Sequence, residues 1–117
     1  MRESKAAGQP LAHQRCTHQT GAPLDAAALA RLQVEVPQWL IDGSGAGATL
    51  SRCLQFADFH HTMAFVNAVA WIAHEQDHHP DMQVSYNRCT VRWSTHSVSG
   101  LSLNDFICAA KLDAALV

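Results

Sequence analysis

The stretch from Phe56 to Pro80, FADFHHTMAFVNAVAWIAHEQDHHP, decides the fold of this chain. Its apolar residues recur at the three- and four-residue spacing of an α-helix, and the stripe they form is broad. This pattern predicts a central helix from Phe56 to about Asp77 that is buried on more than one side. Pro80 has no backbone N–H and disfavours helical geometry at His79, so we expect the helix to end at or just before the pair His78-His79.

Residues upstream of this helix predict a shorter helix and a first hairpin. Asp25 can cap a helix that ends near Gln33. The stretch Val34 to Ile41 is rich in strand-forming residues, and Thr49 to Gln55 returns after a turn rich in glycine.

Residues downstream predict a second hairpin and a last helix. Met82 to Tyr86 and Cys89 to Thr95 both alternate apolar with polar residues, which is typical of paired strands. Ser102 and Asp105 then have the spacing of a capping box at the start of a helix.

The predicted order is therefore α-β-β-α-β-β-α, which indicates an α+β fold. A four-stranded antiparallel sheet with three helices packed on one face would bury both sets of apolar stripes. A chain of 117 residues has room for one such domain, at residues 22–117. Residues 1–21 have few apolar side chains, and we expect them to form a flexible tail.

Composition excludes several classes of function. The formal charge of −2 provides no basic field for nucleic acid, and no segment has the apolar length of a membrane span. Met1 to Gly21 lacks the apolar core of a secretory signal. The four cysteines are widely spaced and form no C-x-x-C pair, which favours reduced thiols in a cytoplasmic protein.

Two patterns overlap at the end of the central helix. His74-Glu75-x-x-His78 has the spacing of a zinc hydrolase, in which two histidines on one helical face bind the metal. That interpretation needs a third ligand and a helix that continues around the site, whereas Pro80 ends this helix almost at once. We therefore regard zinc-dependent hydrolysis as a lesser alternative and assign no metal ligand.

The second pattern is longer. It consists of the aromatic-rich helix, His78-His79-Pro80, Tyr86-Asn87, Thr95-His96 and Gly100-Leu101-Ser102 ahead of Asp105. This pattern resembles the pterin-4a-carbinolamine dehydratase family, and the similarity extends from about Leu24 to Val117. The resemblance implies an α+β subunit that forms homodimers or homotetramers. It also implies removal of water from 4a-hydroxytetrahydropterin to give the quinonoid dihydropterin, without a metal or bound cofactor, in pterin recycling for an aromatic amino acid hydroxylase.

The resemblance also implies roles for individual residues. His78, His79 and His96 match the catalytic histidines of the family. Positions that bind substrate or support the site match Trp39, Asp77, Thr95 and Asp105. Many family members have an acid at the position of His74, which we group with these supporting residues.

The residue types suit this reaction. Expulsion of the 4a-hydroxyl requires a proton on the leaving oxygen and removal of one from the neighbouring ring nitrogen, and imidazole can do either near neutral pH. Our hypothesis places His79 and His96 nearest the hydroxyl, while His78 handles the nitrogen proton or orients the pterin.

Other interpretations of these residues stay open. The main alternative function is a non-catalytic oligomeric module that binds pterin or regulates a partner. Asp105 can serve as a helix cap, as a site residue, or as both, and Trp39 is a type of residue found more often in a core than beside a ligand.

Overall fold

The structure, a computed structural model, describes residues 9–116. Its helices and strands follow the predicted order: α1 Ala26–Gln33, β1 Leu40–Asp42, β2 Thr49–Gln55, α2 Phe59–Gln76, β3 Asp81–Val84, β4 Arg88–Trp93 and α3 Leu103–Ala115. Two short 3-10 turns are also present, Leu11–His13 ahead of α1 and His96–Val98 between β4 and α3. The α+β prediction is confirmed.

The four strands form one antiparallel sheet in the order β1-β2-β4-β3. Strand β4 alternates as predicted, so that Cys89, Val91 and Trp93 point into the core and are fully buried. Helices α2 and α3 cover this face, and their buried side chains include Phe65, Val69, Phe106 and Ile107. The hydrophobic core therefore lies between the sheet and these two helices.

Polar side chains fix where the helices begin. Asp25 accepts from the amide of Ala28 at 2.9 Å, and Ser102 and Asp105 form the predicted capping box of α3. Helix α2 begins at Phe59, three residues later than expected, because Asp58 caps it by accepting from the amide of His61 at 2.9 Å.

Helix α2 ends just before the histidine pair, as the position of Pro80 predicts. Its last helical residue is Gln76, and Asp77 adopts the left-handed conformation, with φ 49° and ψ 44°. The amide of His78 donates back to the carbonyl of Ala73 at 3.1 Å. The chain therefore turns out of the helix immediately ahead of both imidazoles.

The expected strand over 34–41 is largely wrong. Val36 and Trp39 are fully buried, but they lie in consecutive turns in which the amide of Val36 donates to Gln33 and that of Trp39 to Val36. Pro37 between them has no N–H to offer a ladder. Only Leu40–Asp42 pairs with β2.

The second hairpin is shifted from its expected bounds. Strand β3 covers Asp81–Val84 rather than 82–86, and β4 covers Arg88–Trp93 rather than 89–95. Thr95 lies outside strand β4 and forms an isolated antiparallel bridge with Gly100. A side chain at Gly100 would clash with the carbonyl oxygen of Gly45, so the turn that holds His96 can pack against the β1–β2 loop only because residue 100 is glycine.

Residues 11–19, called here the N-terminal segment, pack against the domain. Leu11 is fully buried, and its amide donates to Glu35 Oε1 at 3.1 Å. The carbonyl of Ala12 accepts from Lys111 Nζ at 2.8 Å. The expectation of a flexible tail over 1–21 is therefore wrong for this segment, which is fixed mainly through hydrogen bonds to its backbone rather than through an apolar stripe. Residues 1–8, also part of the expected tail, lie outside the described residues.

Among residues 9–116, none of the helices is long and apolar enough to cross a membrane.

Candidate active site

A cavity of about 510 Å³ opens where the end of α2, the His96 turn, the start of α3 and the N-terminal segment meet. His78, His79 and His96 all line it, and so do Asp77 and Thr95. The structure thus brings together the three histidines that the sequence singled out, although His78 and His96 come from different elements.

His78 is the most tightly held of the three. Its Nε2 atom lies 2.6 Å from Oδ1 of Asp105, and the side chains of His78 and Asp105 are 12% and 0% exposed. The imidazole is nearly parallel to the ring of Trp93, at 10° with a centroid distance of 5.7 Å. A carboxylate and an aromatic face therefore fix both the position and the plane of this ring.

Both carboxylate oxygens of Asp105 have hydrogen-bond partners. Its Oδ2 atom accepts from Thr95 Oγ1 at 2.7 Å and from the amide of Ser102 at 2.9 Å. Thr95 has one hydroxyl proton, which it gives to Asp105. In its 2.7 Å contact with Ser102 Oγ, the proton therefore comes from Ser102. Hydrogen bonds thus run from Ser102 to Thr95 and from Thr95 to Asp105, and they orient the carboxylate toward His78.

This environment changes the proton affinity of His78. Burial on its own lowers the pKa of His78, but the hydrogen bond and the negative charge of Asp105 outweigh burial, so that the pKa is raised above its ordinary value. With Nε2 committed to Asp105, Nδ1 is the nitrogen left to exchange a proton with a ligand. The pair of His78 and Asp105 can therefore hold or accept a proton at Nδ1 of a ring whose position is fixed.

His79 and His96 have exposed side chains in the same cavity. His79 lies in the short connection to β3, where Pro80 restricts its backbone. His96 begins the 3-10 turn that the Thr95–Gly100 pairing closes. Short, restrained segments therefore hold both rings where a ligand can reach them.

His74 and Trp39 do not reach the cavity. His74 is exposed on α2 and lies against Trp71, with ring centroids 6.1 Å apart. Trp39 is buried in the core, where its Nε1 donates to Asp113 Oδ1 at 2.8 Å. The assignment of these two residues to the site is therefore not supported by their positions.

The zinc-like spacing of His74 and His78 is interrupted in the structure. Because Asp77 leaves the helix in the left-handed conformation, the two histidines do not continue along one helical face. Within residues 9–116, no three His, Cys, Asp or Glu side chains are grouped as a metal site would require.

Sequence reasoning missed one wall of the cavity, which the N-terminal segment forms with Cys16, Thr17, His18 and Gln19. Asn104 holds Thr17 through both of its backbone groups, at 3.1 Å to the amide and 2.7 Å to the carbonyl. Gln76 Oε1 accepts from the amide of Cys16 at 2.9 Å. These partners lie more than 50 residues away in the chain, and no local pattern in the segment signals them.

Comparison with known proteins identifies the family. Residues 22–115 match the family described as pterin 4 alpha carbinolamine dehydratase. The chain belongs to this family. A Stenotrophomonas maltophilia K279a protein named "Putative pterin-4-alpha-carbinolamine dehydratase" is 54% identical over 107 residues, which is 90% of each chain. A protein of the same name from Xanthomonas oryzae pv. oryzae MAFF 311018 is 54% identical over 104 residues, 87% of this chain and 86% of that one.

Two solved structures share the fold. The transcriptional coactivator/pterin dehydratase from Brucella melitensis has a TM-score of 0.71 and 28% identity, covering 79% of this chain and 96% of that one. A pterin dehydratase-like protein described as a RuBisCO assembly factor in the alpha-carboxysome has a TM-score of 0.56 and 20% identity, covering 66% of this chain and 87% of that one. At that identity, the second likeness shows the fold alone.

Proposed function

We propose that this protein dehydrates 4a-hydroxytetrahydropterin to the quinonoid dihydropterin by histidine acid/base catalysis, without a metal or bound cofactor. The observation that carries the proposal is a single cavity lined by three imidazoles, one of which is fixed at 2.6 Å by a buried carboxylate. Its volume of about 510 Å³ lies within the range of small-molecule sites. Family membership supports the substrate class.

The base in this proposal is His78. In its neutral form it donates Nε2–H to Asp105 and presents the lone pair of Nδ1 to the ring nitrogen next to the 4a carbon. When Nδ1 takes that proton, the resulting imidazolium is stabilised by the Asp105 carboxylate. The same stabilisation of the charged ring by Asp105 raises the pKa of His78.

The acid is supplied by His79 or His96. Both are exposed in the cavity, so either imidazolium can give its proton to the departing 4a-hydroxyl, which leaves as water. Loss of the C–O bond and of the ring N–H together creates the C=N bond of the quinonoid product. An acid or base in place typically contributes about 10²–10⁴-fold to the rate.

We further propose that the protein acts in the cytoplasm as a homodimer or homotetramer, and that it recycles pterin for an aromatic amino acid hydroxylase. Self-association is supported by large apolar side chains that remain exposed on α2, among them Phe59 at 49% and Trp71 at 62%. Light scattering after size exclusion, with Trp71→Ser as the variant, tests it. A wild-type mass equal to one subunit would contradict self-association.

The activity test mixes purified protein with freshly generated 4a-hydroxytetrahydropterin and follows the decay of its ultraviolet absorbance. We expect decay faster than in buffer and proportional to protein concentration. Pterin binding, followed by fluorescence quenching of a stable tetrahydropterin analogue, is measured on the same sample. Binding with a decay rate equal to that of buffer would contradict catalysis and favour the non-catalytic binding module.

A further inference from the structure

Two thiols meet beside the candidate active site, and the proposed reaction uses neither. Sγ of Cys16 lies 3.6 Å from Sγ of Cys108, although the residues are 92 positions apart. Cys16 is half-buried and lines the cavity, whereas Cys108 is fully buried in α3. This cluster is the only contact between two cysteine sulfurs among residues 9–116.

The contact follows from how α3 holds the N-terminal segment. Asn104 and Cys108 are four residues apart and therefore lie on the same side of the helix. Asn104 binds both backbone groups of Thr17, which places the preceding residue over the next turn of α3. Gln76 fixes the amide of Cys16 from the other side. These hydrogen bonds, together with the 3.6 Å contact in which Cys16 Sγ donates to the carbonyl oxygen of Asn104, hold the two sulfurs together.

The two thiols differ in reactivity. The hydrogen bond from Cys108 lowers the pKa of Cys16, against the opposing effect of burial. The same contact, together with burial, raises the pKa of Cys108. Because the thiolate is the reactive form, Cys16 is the thiol that an incoming reagent meets as a nucleophile. Cys108 is within reach of Cys16 but shielded from solvent.

We propose that Cys16 and Cys108 form a dithiol site that hydrogen peroxide oxidises to an intramolecular disulfide. The Cys16 thiolate attacks one peroxide oxygen, the O–O bond breaks, and the hydroxide that leaves takes up a proton to become water. Cys16 is then a sulfenic acid. Cys108 loses its proton and attacks Sγ of Cys16, the S–O bond breaks, and the departing hydroxide takes that proton. Overall, two thiols and one peroxide give one disulfide and two waters.

The closure requires a small movement. A disulfide bond is about 2.05 Å long, so the sulfurs must approach by roughly 1.5 Å. Cys108 is fixed in the core, and the movement therefore falls on the N-terminal segment. The disulfide would tie this wall of the cavity to the helix that carries Asp105, and closure of so long a loop restricts the unfolded chain.

The other two cysteines provide an internal control. Cys53 is opposite Thr90 and Cys89 is opposite Leu54 in the β2–β4 ladder, so their side chains point to opposite faces of the sheet. Cys53 is exposed and Cys89 is buried. The sheet separates these two thiols, and we expect no disulfide between them.

The test uses the full chain with Cys53→Ser, which removes the exposed thiol that could link two molecules. Reduced protein is treated with hydrogen peroxide, unfolded in denaturant and alkylated there with N-ethylmaleimide, digested without reductant and analysed by mass spectrometry. We expect a peptide pair joined through Cys16 and Cys108, loss of two hydrogen atoms per chain, and full reversal by dithiothreitol. The oxidised protein should also unfold at a temperature several degrees higher than the reduced protein.

Two variants separate the steps. Cys108→Ser should stop at a Cys16 sulfenic acid that dimedone traps, and Cys89→Ala should form the disulfide as before. Alkylation of both Cys16 and Cys108 after peroxide treatment would overturn the proposal, as would a disulfide that joins Cys16 to another chain. Should Cys108→Ser fail to fold, peptide mapping of the Cys53→Ser protein decides alone. The readout is independent of dehydratase activity.

Discussion

Nε2 of His78 lies 2.6 Å from Oδ1 of Asp105, a carboxylate with no solvent exposure. The same carboxylate also accepts from Thr95 and from the amide of Ser102, so it serves at once as helix cap and as partner of the imidazole. Of the two interpretations left open for Asp105 by its sequence position, these contacts confirm the helix cap, and the site role remains part of the proposal. The start of α3 and the orientation of His78 depend on one side chain.

Replacement of Asp105 by Asn should lower kcat by about 10²–10⁴-fold, because the amide cannot stabilise the imidazolium that forms on His78. Steady-state dehydration rates measure the effect. Asn keeps the size of the side chain and can still accept from Ser102, so circular dichroism should show a folded protein. The matched control is Asp42→Asn, an exposed acid on β1, which should leave kcat unchanged. Normal turnover in Asp105→Asn would remove this carboxylate from the mechanism.

The single variants His79→Ala and His96→Ala should each retain the fold, since both side chains are exposed. Removal of the histidine that protonates the leaving hydroxyl should lower kcat by about 10²–10⁴-fold. His74→Ala is the control, because His74 is also exposed but lies outside the cavity. Near-normal turnover in both His79→Ala and His96→Ala would exclude them as essential acids.

Stability should depend on pH through His78. Its pKa in the folded protein is raised, so the protonated form favours the folded state. This contribution is complete below the ordinary pKa of about 6.5 and is lost as the pH rises through the raised value. His78→Gln, which cannot carry the charge, should therefore lose more free energy of unfolding relative to wild type near pH 6 than near pH 9. Urea unfolding at both pH values, with His74→Gln as the control, measures this difference. A deficit that grows with pH would contradict the assigned direction.

Trp39→Phe should change stability but leave catalysis intact. The variant loses the hydrogen bond from Nε1 to Asp113, a carboxylate that also binds Arg52 at 2.8 Å. Loss of a hydrogen bond to a charged group costs about 1.5–3 kcal/mol in the free energy of unfolding. Because Trp39 is fully buried and does not line the cavity, kcat and KM should stay at wild-type values. A raised KM with unchanged stability would instead place Trp39 beside the substrate.

Local signals were enough to predict most of the fold. The caps at Asp25 and Ser102, the Pro80 stop and the alternation of β4 all act within a few residues of the element they define. The strand expected around Val36 and Trp39 failed because residue types that favour strands can equally bury their side chains from a turn. Pro37 was the available signal against that strand.

The site was predictable only in part. The sequence pattern and the family resemblance singled out His78, His79 and His96, which do line one cavity. The wall formed by residues 16–19 was not predictable, because amide side chains at Gln76 and Asn104 hold it through backbone groups. Such long-range hydrogen bonds leave no periodicity in the sequence.

The most direct measurement is the rate of dehydration of fresh 4a-hydroxytetrahydropterin by the wild-type protein, compared with buffer and with a His79→Ala/His96→Ala double variant in parallel. We expect a wild-type rate well above that of buffer, and a double variant that is folded and slower by at least about 10²-fold. A double variant as fast as wild type, or a wild-type rate equal to that of buffer, would contradict the proposed histidine catalysis.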